Sequence, residues 1–281
     1  MPQIAQRNAR PATELARLLH AQTGAGGLRY AALGQNAHTA EDLAAIVDAV
    51  PSAIAGALSQ KLYVFVPLVV VEGEEGDPEP WIALDFDESS SDAAVCHRNV
   101  TLSGVEYVFI STALMQDRFA LSFELYINLA RHFVEAAGVP ASFMDMVWQQ
   151  ATAGVRGETS HDAWDDRARA LGYPLADSAG ESRRPARTRR LRNPGPANAN
   201  TTAAQPLDEL ARTHYLHAAF SDAIAIYLLS LTVDFDYSEL REREYPLLAP
   251  PALAERLRAV ATLFPPNAGQ EFAIRYRRRE D

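Results

Sequence analysis

Residues 120–138 read ALSFELYINLARHFVEAAG, and this stretch decides the fold of the chain. Its apolar residues recur at helical spacing in two rows, which together make a wide apolar stripe and predict a buried helix. The rows consist of Leu121, Leu125, Leu129, Phe133 and Ala137, and of Phe123, Tyr126, Ile127, Ala130 and Val134. Gly138 is a favourable residue directly after a helix, and Pro140 prevents any continuation. We therefore expect one central helix that ends at Gly138.

Polar residues on this helix form the first candidate site. Asn128, His132 and Glu135 are spaced i, i+4 and i+7, so they share one face. A histidine and a carboxylate one turn apart can bind a metal or act as an acid–base pair, which makes His132 and Glu135 candidate catalytic residues. The alternative is structural, with His132 hydrogen-bonded in the core and Glu135 paired with Arg131 or another arginine. The spacing alone favours the structural alternative.

A second polar group lies on a long apolar helix near the C-terminus. His214 and His217 are spaced i, i+3, and Asp222 follows further along. Two helices together can build a metal site, so the candidate ligands for zinc or iron are these three residues with His132 and Glu135. The alternative is a partly exposed polar helix face, since seven histidines produce such pairs by chance.

Bulk composition excludes several classes of protein. The chain has 281 residues, and its net charge of −10 argues against broad nucleic-acid binding. Cys96 is the one cysteine, so the chain alone can form neither a disulfide framework nor a cysteine-based zinc site. Cys96 and His97 would point to opposite faces of a strand, which argues against a nucleophile–base pair. No secretory segment or uninterrupted membrane span is visible, and we expect a cytoplasmic protein that avoids membranes.

The order of the patterns predicts an α+β fold with helices around a small central sheet. Residues 1–60 indicate an N-terminal helical segment, and 61–172 a small sheet with the central helix. Residues 173–205 are rich in Arg, Pro and Ala and are typical of a flexible linker or insertion. Residues 206–281 indicate C-terminal helices that pack back on the central helix.

Local signals add detail to this outline. Thr39 with Asp42 resembles a capping box at a helix start. Residues 62–72 are β-branched and aromatic and predict one strand, in which Pro67 suggests an edge position or a bulge. Residues 100–102 and 105–111 predict two further strands on either side of Gly104.

Three stretches carry a resemblance to a known family. Residues 99–115, followed by Glu124–Leu125 and Leu129–Ala130, look like the strand and active helix of zincin metallopeptidases. The similarity is greatest to the branch that contains the heat-shock membrane protease and the prenyl-protein protease. Residues 220–229 are similar to the family's E-A-D-x-x-A-x-x-L-L segment, and 249–260 to its H-P-P-x-x-x-R-I segment. The resemblance implies a zincin-like fold.

The same resemblance implies that the H-E-x-x-H motif is lost. The two zinc histidines of the family fall on Arg131 and Glu135, and its catalytic glutamate falls on His132. The glutamate ligand of the second segment falls on Phe220, and only Asp222 matches there. An arginine cannot bind a metal ion, because its guanidinium has no free lone pair and stays protonated.

Three functions follow as hypotheses, and whether the chain is an enzyme stays open. The first is a non-catalytic zincin-like domain without a cofactor. It would act as a scaffold or bind a peptide or protein, by strand addition beside Val105–Ser111. The second is a metal-dependent hydrolase or other metalloenzyme that uses zinc or iron at the rebuilt ligands. The third is attachment to nucleic acid or an acidic protein through the basic run Arg183–Arg192. The sequence favours the first.

Overall fold

The computed structural model describes residues 9–71, 80–86, 93–173, 208–240 and 245–274. These residues form a mixed α+β structure, in agreement with the expected class. The linker prediction lies outside the described residues from position 174 onward, and so does the basic run Arg183–Arg192.

The chain divides into two compact units. Unit one comprises Met1–Ala137, Ile224–Asp234 and Val260–Asp281, and unit two comprises Gly138–Ala223 and Phe235–Ala259. The strands of unit one are β1 Ala9–Pro11, β2 Gln22–Thr23, β3 Arg29–Ala32, β4 Lys61–Val66, β5 Leu68–Val70, β6 Trp81–Ala83, β7 Ala94–Val95, β8 His97–Leu102 and β9 Val105–Ser111. Its helices are α1 Ala12–Ala16, α2 Ala40–Asp48, α3 Ser52–Ala57 and α4 Arg118–Ala137. The helices that begin in unit two are α5 Ala141–Thr152, α6 His161–Ala170, α7 Glu209–Thr232 and α8 Pro250–Leu263.

The strands form two sheets, where the sequence predicted one. One sheet has the order β1-β6-β5-β7 and the other has the order β2-β3-β4-β9-β8. Pro67 separates β4 from β5, because proline lacks the N–H that a continuing ladder needs and the chain there passes into the second sheet. The prediction of an edge strand or a bulge was therefore wrong. Both strands lie inside a sheet, β4 between β3 and β9 and β5 between β6 and β7.

A corner of hydrogen bonds joins the two sheets beside Pro67. The backbone N–H of Thr112 donates to the carbonyl of Val66 (2.8 Å), and the next N–H, of Ala113, donates to the carbonyl of Pro67 (3.0 Å). The Ser111 hydroxyl, at the end of β9, donates to the Val95 carbonyl (2.5 Å). The chain thus passes between the sheets again at Cys96, which lies between the end of β7 and the start of β8.

The first sixty residues are less helical than expected. Their described part contributes β1, β2 and β3 as well as the three short helices α1, α2 and α3. β3 pairs in parallel with β4, which brings Tyr30 opposite Tyr63 inside the larger sheet. The capping box is confirmed, since the Thr39 hydroxyl accepts a hydrogen bond from the Asp42 N–H (3.1 Å).

The core of unit one lies on both faces of the larger sheet. One face packs with α1 and the smaller sheet, and its buried residues include Leu62, Val64 and Phe109. The other face meets α4, which begins two residues earlier than predicted. Tyr126 on this helix is fully buried and donates its hydroxyl proton to the Ile46 carbonyl (2.8 Å).

Of the described helices, α7 is the one that is long and apolar enough to cross a membrane by length and composition. Its apolar window is 72% buried inside the protein, as in the core helix of a soluble protein. The length and hydropathy of α7 are therefore those of a buried helix.

Candidate functional site

Two hydrogen-bonded sets of polar side chains lie between α4 and the larger sheet, and together we call them the polar row. Helix α4 contributes residues at i, i+4 and i+8, which a helix places on one face. Strands β4, β8 and β9 contribute residues from the sheet face opposite. The polar row consists of Glu124, Asn128, His132, Lys61, Tyr63, His97, Asn99 and Glu106.

His132 is buried and both of its ring nitrogens have partners. Nδ1 lies 3.1 Å from the Tyr63 hydroxyl, and Nε2 lies 3.0 Å from Nδ2 of Asn99. Burial, assisted by the nearby charge of Lys61, lowers the pKa of His132 to about 4, so the imidazole is neutral near neutral pH. This environment is that of a hydrogen-bonded core histidine.

Asn99 and Glu106 continue the polar row toward Lys61. The Asn99 amide donates to Oε1 of Glu106 (2.7 Å), and the Lys61 ammonium pairs with Oε2 of the same carboxylate. Because a carboxylate only accepts hydrogen bonds, this contact fixes the Asn99 nitrogen on the side of Glu106. The two amide hydrogens are then used by Glu106 and His132, which leaves Oδ1 of Asn99 as an acceptor.

His97 and Glu124 form the outer end of the polar row. Nδ1 of His97 lies 2.6 Å from Oε1 of Glu124, which also accepts from the Asn128 amide at 3.0 Å. Burial raises the pKa of Glu124, but the hydrogen bond and charge of His97, with help from Asn128 and Arg131, outweigh this and hold it below its usual value. Glu124 is therefore an anion, and Nδ1 of His97 carries the proton that it shares with Glu124.

The predicted site residues lie in different environments. Arg131 and Glu135 are exposed on α4, and His214 and His217 are exposed on α7. Asp222 is buried and accepts a hydrogen bond from the Thr159 hydroxyl (2.7 Å). Among the described residues, no group of three or more His, Cys, Asp or Glu side chains could hold a metal ion. Of the predicted polar face, Asn128 and His132 belong to the polar row, whereas Glu135 in the last turn of α4 does not.

Sequence reasoning missed the strand residues of the polar row. His97, Asn99 and Thr101 alternate along β8, and alternation places them on one face of the sheet. That period-two polar pattern was the available signal. It was hidden because the first part of β8 was not predicted as a strand.

Strand β8 is the outer strand of the larger sheet. It is antiparallel to β9, and the Ser111 N–H donates to the Cys96 carbonyl (2.8 Å), so Cys96 and Ser111 are a hydrogen-bonded pair. Hydrogen-bonded pairs alternate in antiparallel strands, so the next ones fall at Arg98 and every second residue after it. The backbone N–H and C=O groups of His97, Asn99 and Thr101 consequently point away from β9. They have no hydrogen-bond partner in the part of the chain that the structure describes.

The hairpin that ends β8 fixes this arrangement. Ser103 and Gly104 connect β8 to β9 and both have positive φ, 53° and 80°. Two positive φ values in a two-residue loop match the right-handed twist of the flanking strands and set the strand register. β9 itself lies between β4 and β8, so both of its edges are already paired. The expectation of strand addition beside Val105–Ser111 was wrong, because β8 occupies that edge.

Unit two contains a second buried polar group, which we call the Glu158 network. Glu158 is fully buried and its carboxylate accepts from Arg256 (2.9 Å), Arg167 (3.2 Å) and the Tyr215 hydroxyl (2.7 Å). Arg256 also donates through Nε to Oε1 of Gln150 (2.8 Å). The network connects α5, α6, α7 and α8 with the segment before α6. Every oxygen of Glu158 is occupied, so its role is structural.

Comparison of the chain with known protein families, curated proteins and solved structures gives no match. Its function therefore rests on the geometry described above.

Proposed function

We propose that this chain is a non-catalytic, zincin-like domain that binds an extended peptide segment of a partner protein by strand addition at β8. The observation that carries this proposal is the outer edge of β8, where the backbone groups of three alternating residues face away from the sheet. Strand addition uses such groups for affinity and the side chains between them for selectivity.

The length of β8 distinguishes it from the other outer strands in the described residues. β8 has six residues, whereas β1, β2 and β7 have three, two and two. Three outward-facing residues offer three N–H donors and three C=O acceptors, enough to hold a short peptide in register. The other outer strands have three residues or fewer, so each offers fewer outward-facing N–H and C=O groups, and β8 is the favoured docking edge.

The state of α4 supports a non-catalytic role. The zincin resemblance puts a metal ligand at Arg131, which is exposed and cannot coordinate a cation. It puts the catalytic glutamate at His132, whose two ring nitrogens are occupied by Tyr63 and Asn99. The order of β9 followed directly by α4 fits the family's strand and active helix. We propose a cytoplasmic domain that needs no cofactor.

A proline at Thr101 tests the proposal. The Thr101 N–H points outward, so proline removes a donor for the incoming strand without breaking a β8–β9 hydrogen bond. The Thr101 side chain is exposed, and Thr101→Val keeps the N–H and serves as the matched control. A random peptide library displayed on phage is selected against the full chain, and the selected peptides are titrated with both variants.

The expected result is peptide binding that Thr101→Pro reduces at least about tenfold, the effect of losing one or two hydrogen bonds and adding a steric block. Thr101→Val should leave binding within about twofold, since the backbone donor is retained. Circular dichroism checks that both variants fold. The proposal would be refuted if no peptide were selected, or if Thr101→Pro and the parent chain bound the selected peptides equally.

A further inference from the structure

The polar row contains two side-chain atoms on β8 that can still hydrogen-bond a peptide. Nδ1 of His97 donates to the Glu124 carboxylate at 2.6 Å, so Nε2 is the ring nitrogen left to hydrogen-bond a ligand. Nε2 has no partner among the described residues, and the His97 side chain is 36% exposed. Two residues along, Oδ1 of Asn99 is an acceptor, because both amide hydrogens are used by Glu106 and His132.

An added strand would place its own side chains beside these two atoms. His97 and Asn99 lie on the α4 face of the sheet, and a peptide residue opposite either of them points to that same face. Opposite residues have Cβ atoms about 5 Å apart, within reach of a short side chain. This holds for a parallel or an antiparallel peptide, because the alternation of faces does not depend on strand direction.

The charges around these two atoms discriminate between kinds of side chain. An acidic side chain would meet the Glu124 and Glu106 carboxylates and the lone pairs of Asn99 Oδ1, all unfavourable. The Glu106 charge is already paired with Lys61, and Glu124 already accepts from His97 and Asn128. A lysine or arginine side chain is too long for this position, because its charged end would lie beyond the atom directly opposite its Cβ. A hydroxyl carried on Cβ is short and neutral, and it can both donate and accept a hydrogen bond.

We propose that the peptide recognised at β8 carries Ser or Thr at two alternating positions, i and i+2, whose hydroxyls hydrogen-bond Nε2 of His97 and donate to Oδ1 of Asn99. Threonine is the better of the two, because its branched side chain suits an extended strand. This inference rests on the proposed function, since it names the class of peptide that the β8 edge takes.

The test uses the peptides selected on phage against the full chain. Enrichment of Ser or Thr at positions i and i+2 is the first expected result. In a selected peptide, Thr→Val at i or i+2 keeps the shape and removes the hydroxyl, and should weaken binding about fivefold at each position. The same change at position i+1, which faces away from α4, is the matched control and should change binding less than about twofold.

His97→Ala supplies the second half of the test. If the hydroxyl hydrogen-bonds Nε2 of His97, the peptide substitution opposite this residue loses its effect in the His97→Ala chain, while the substitution opposite Asn99 keeps it. The peptide substitutions leave the protein unchanged, so they decide the matter even where His97→Ala does not fold.

The outcomes separate this inference from the proposed function. Peptides that bind, and whose binding Thr101→Pro abolishes, but that prefer apolar, acidic or basic residues at i and i+2 would overturn the hydroxyl assignment and leave strand addition standing. Absence of any peptide sensitive to Thr101→Pro would remove both. Equal effects of Thr→Val at i, i+1 and i+2 would also overturn the assignment, because they would show no selectivity for the α4 face.

Discussion

Replacing Arg256 by methionine tests the physical role of the Glu158 network. Arg256 is fully buried and donates four hydrogen bonds, to Gln150 (2.8 Å), to both oxygens of Glu158 (2.9 and 3.4 Å) and to the Tyr215 hydroxyl (3.3 Å). Methionine fills most of the volume with a flexible apolar chain, so the change removes the charge with little cavity. What remains is a buried Glu158 anion with fewer partners.

The expected loss of unfolding free energy is about 3 kcal/mol. Removing one partner of a buried ion pair costs roughly 3–5 kcal/mol, because the remaining charge is left in a poorly solvating environment. Arg167 (3.2 Å) and Tyr215 (2.7 Å) still bind the Glu158 carboxylate, so the expected loss lies at the lower end of that range. Glu158→Gln in the same chain removes the uncompensated charge, so the double variant should cost about 2 kcal/mol less than the sum of the singles.

Urea unfolding followed by tryptophan fluorescence measures these changes. Trp148 and Trp164 lie in unit two, where the network is, so their signal reports on the unit that is perturbed. Arg169→Met is the matched control. Arg169 is 46% exposed and pairs with Asp166 on the surface, so this substitution should change stability by less than about 1 kcal/mol.

Two results would refute the reasoning. Equal stability losses for Arg256→Met and Arg169→Met would show that the buried ion pair contributes no more to stability than the exposed one. Additive losses in the double variant, within about 0.5 kcal/mol, would show that Arg256 and Glu158 do not act as a coupled pair.

Three further expectations concern single sites. His132 should make the chain less stable in acid, because its pKa is about 4 when folded and near 6.5 when unfolded, so the unfolded chain binds the extra proton first. The free energy of unfolding should fall by up to about 3 kcal/mol between pH 6.5 and 4, and His132→Gln should flatten this slope in urea titrations. Gly157→Ala should destabilise by about 3 kcal/mol or more in thermal unfolding, because φ is +79° and a Cβ would lie 2.0 Å from the Leu247 carbonyl oxygen. Gly154→Ala, at φ +72° in open space, should cost only about 1 kcal/mol. Tyr126→Phe should cost about 1 kcal/mol in urea unfolding through the lost hydrogen bond, and no change would contradict the contact.

Elements with strong local signals were predictable from the sequence. The periodic helix α4, with Gly138 after its end at φ +73°, was found within two residues of its start. The Thr39 capping box was also found, because its two hydrogen bonds join residues three apart. Each of these features is encoded within a few turns of chain.

Features that depend on distant pairings were not predictable. Whether the run around Pro67 forms one strand or two depends on which strands pair with each half, and those partners lie far along the chain. The role of His97 depends on Glu124, 27 residues away, and that of Glu158 on Arg256, 98 residues away. A single sequence gives the donors and acceptors but not the pairs.

The corner beside Pro67 has a consequence for how unit one opens. One residue separates β4 from β5 and one residue separates β7 from β8, so the two sheets are tied together by the chain at two places. If either sheet opened, both chain connections would be strained and the hydrogen bonds donated by Thr112 and Ala113 would break. Backbone amides of the two sheets should therefore exchange their hydrogens with deuterium as one cooperative group, with a common protection free energy.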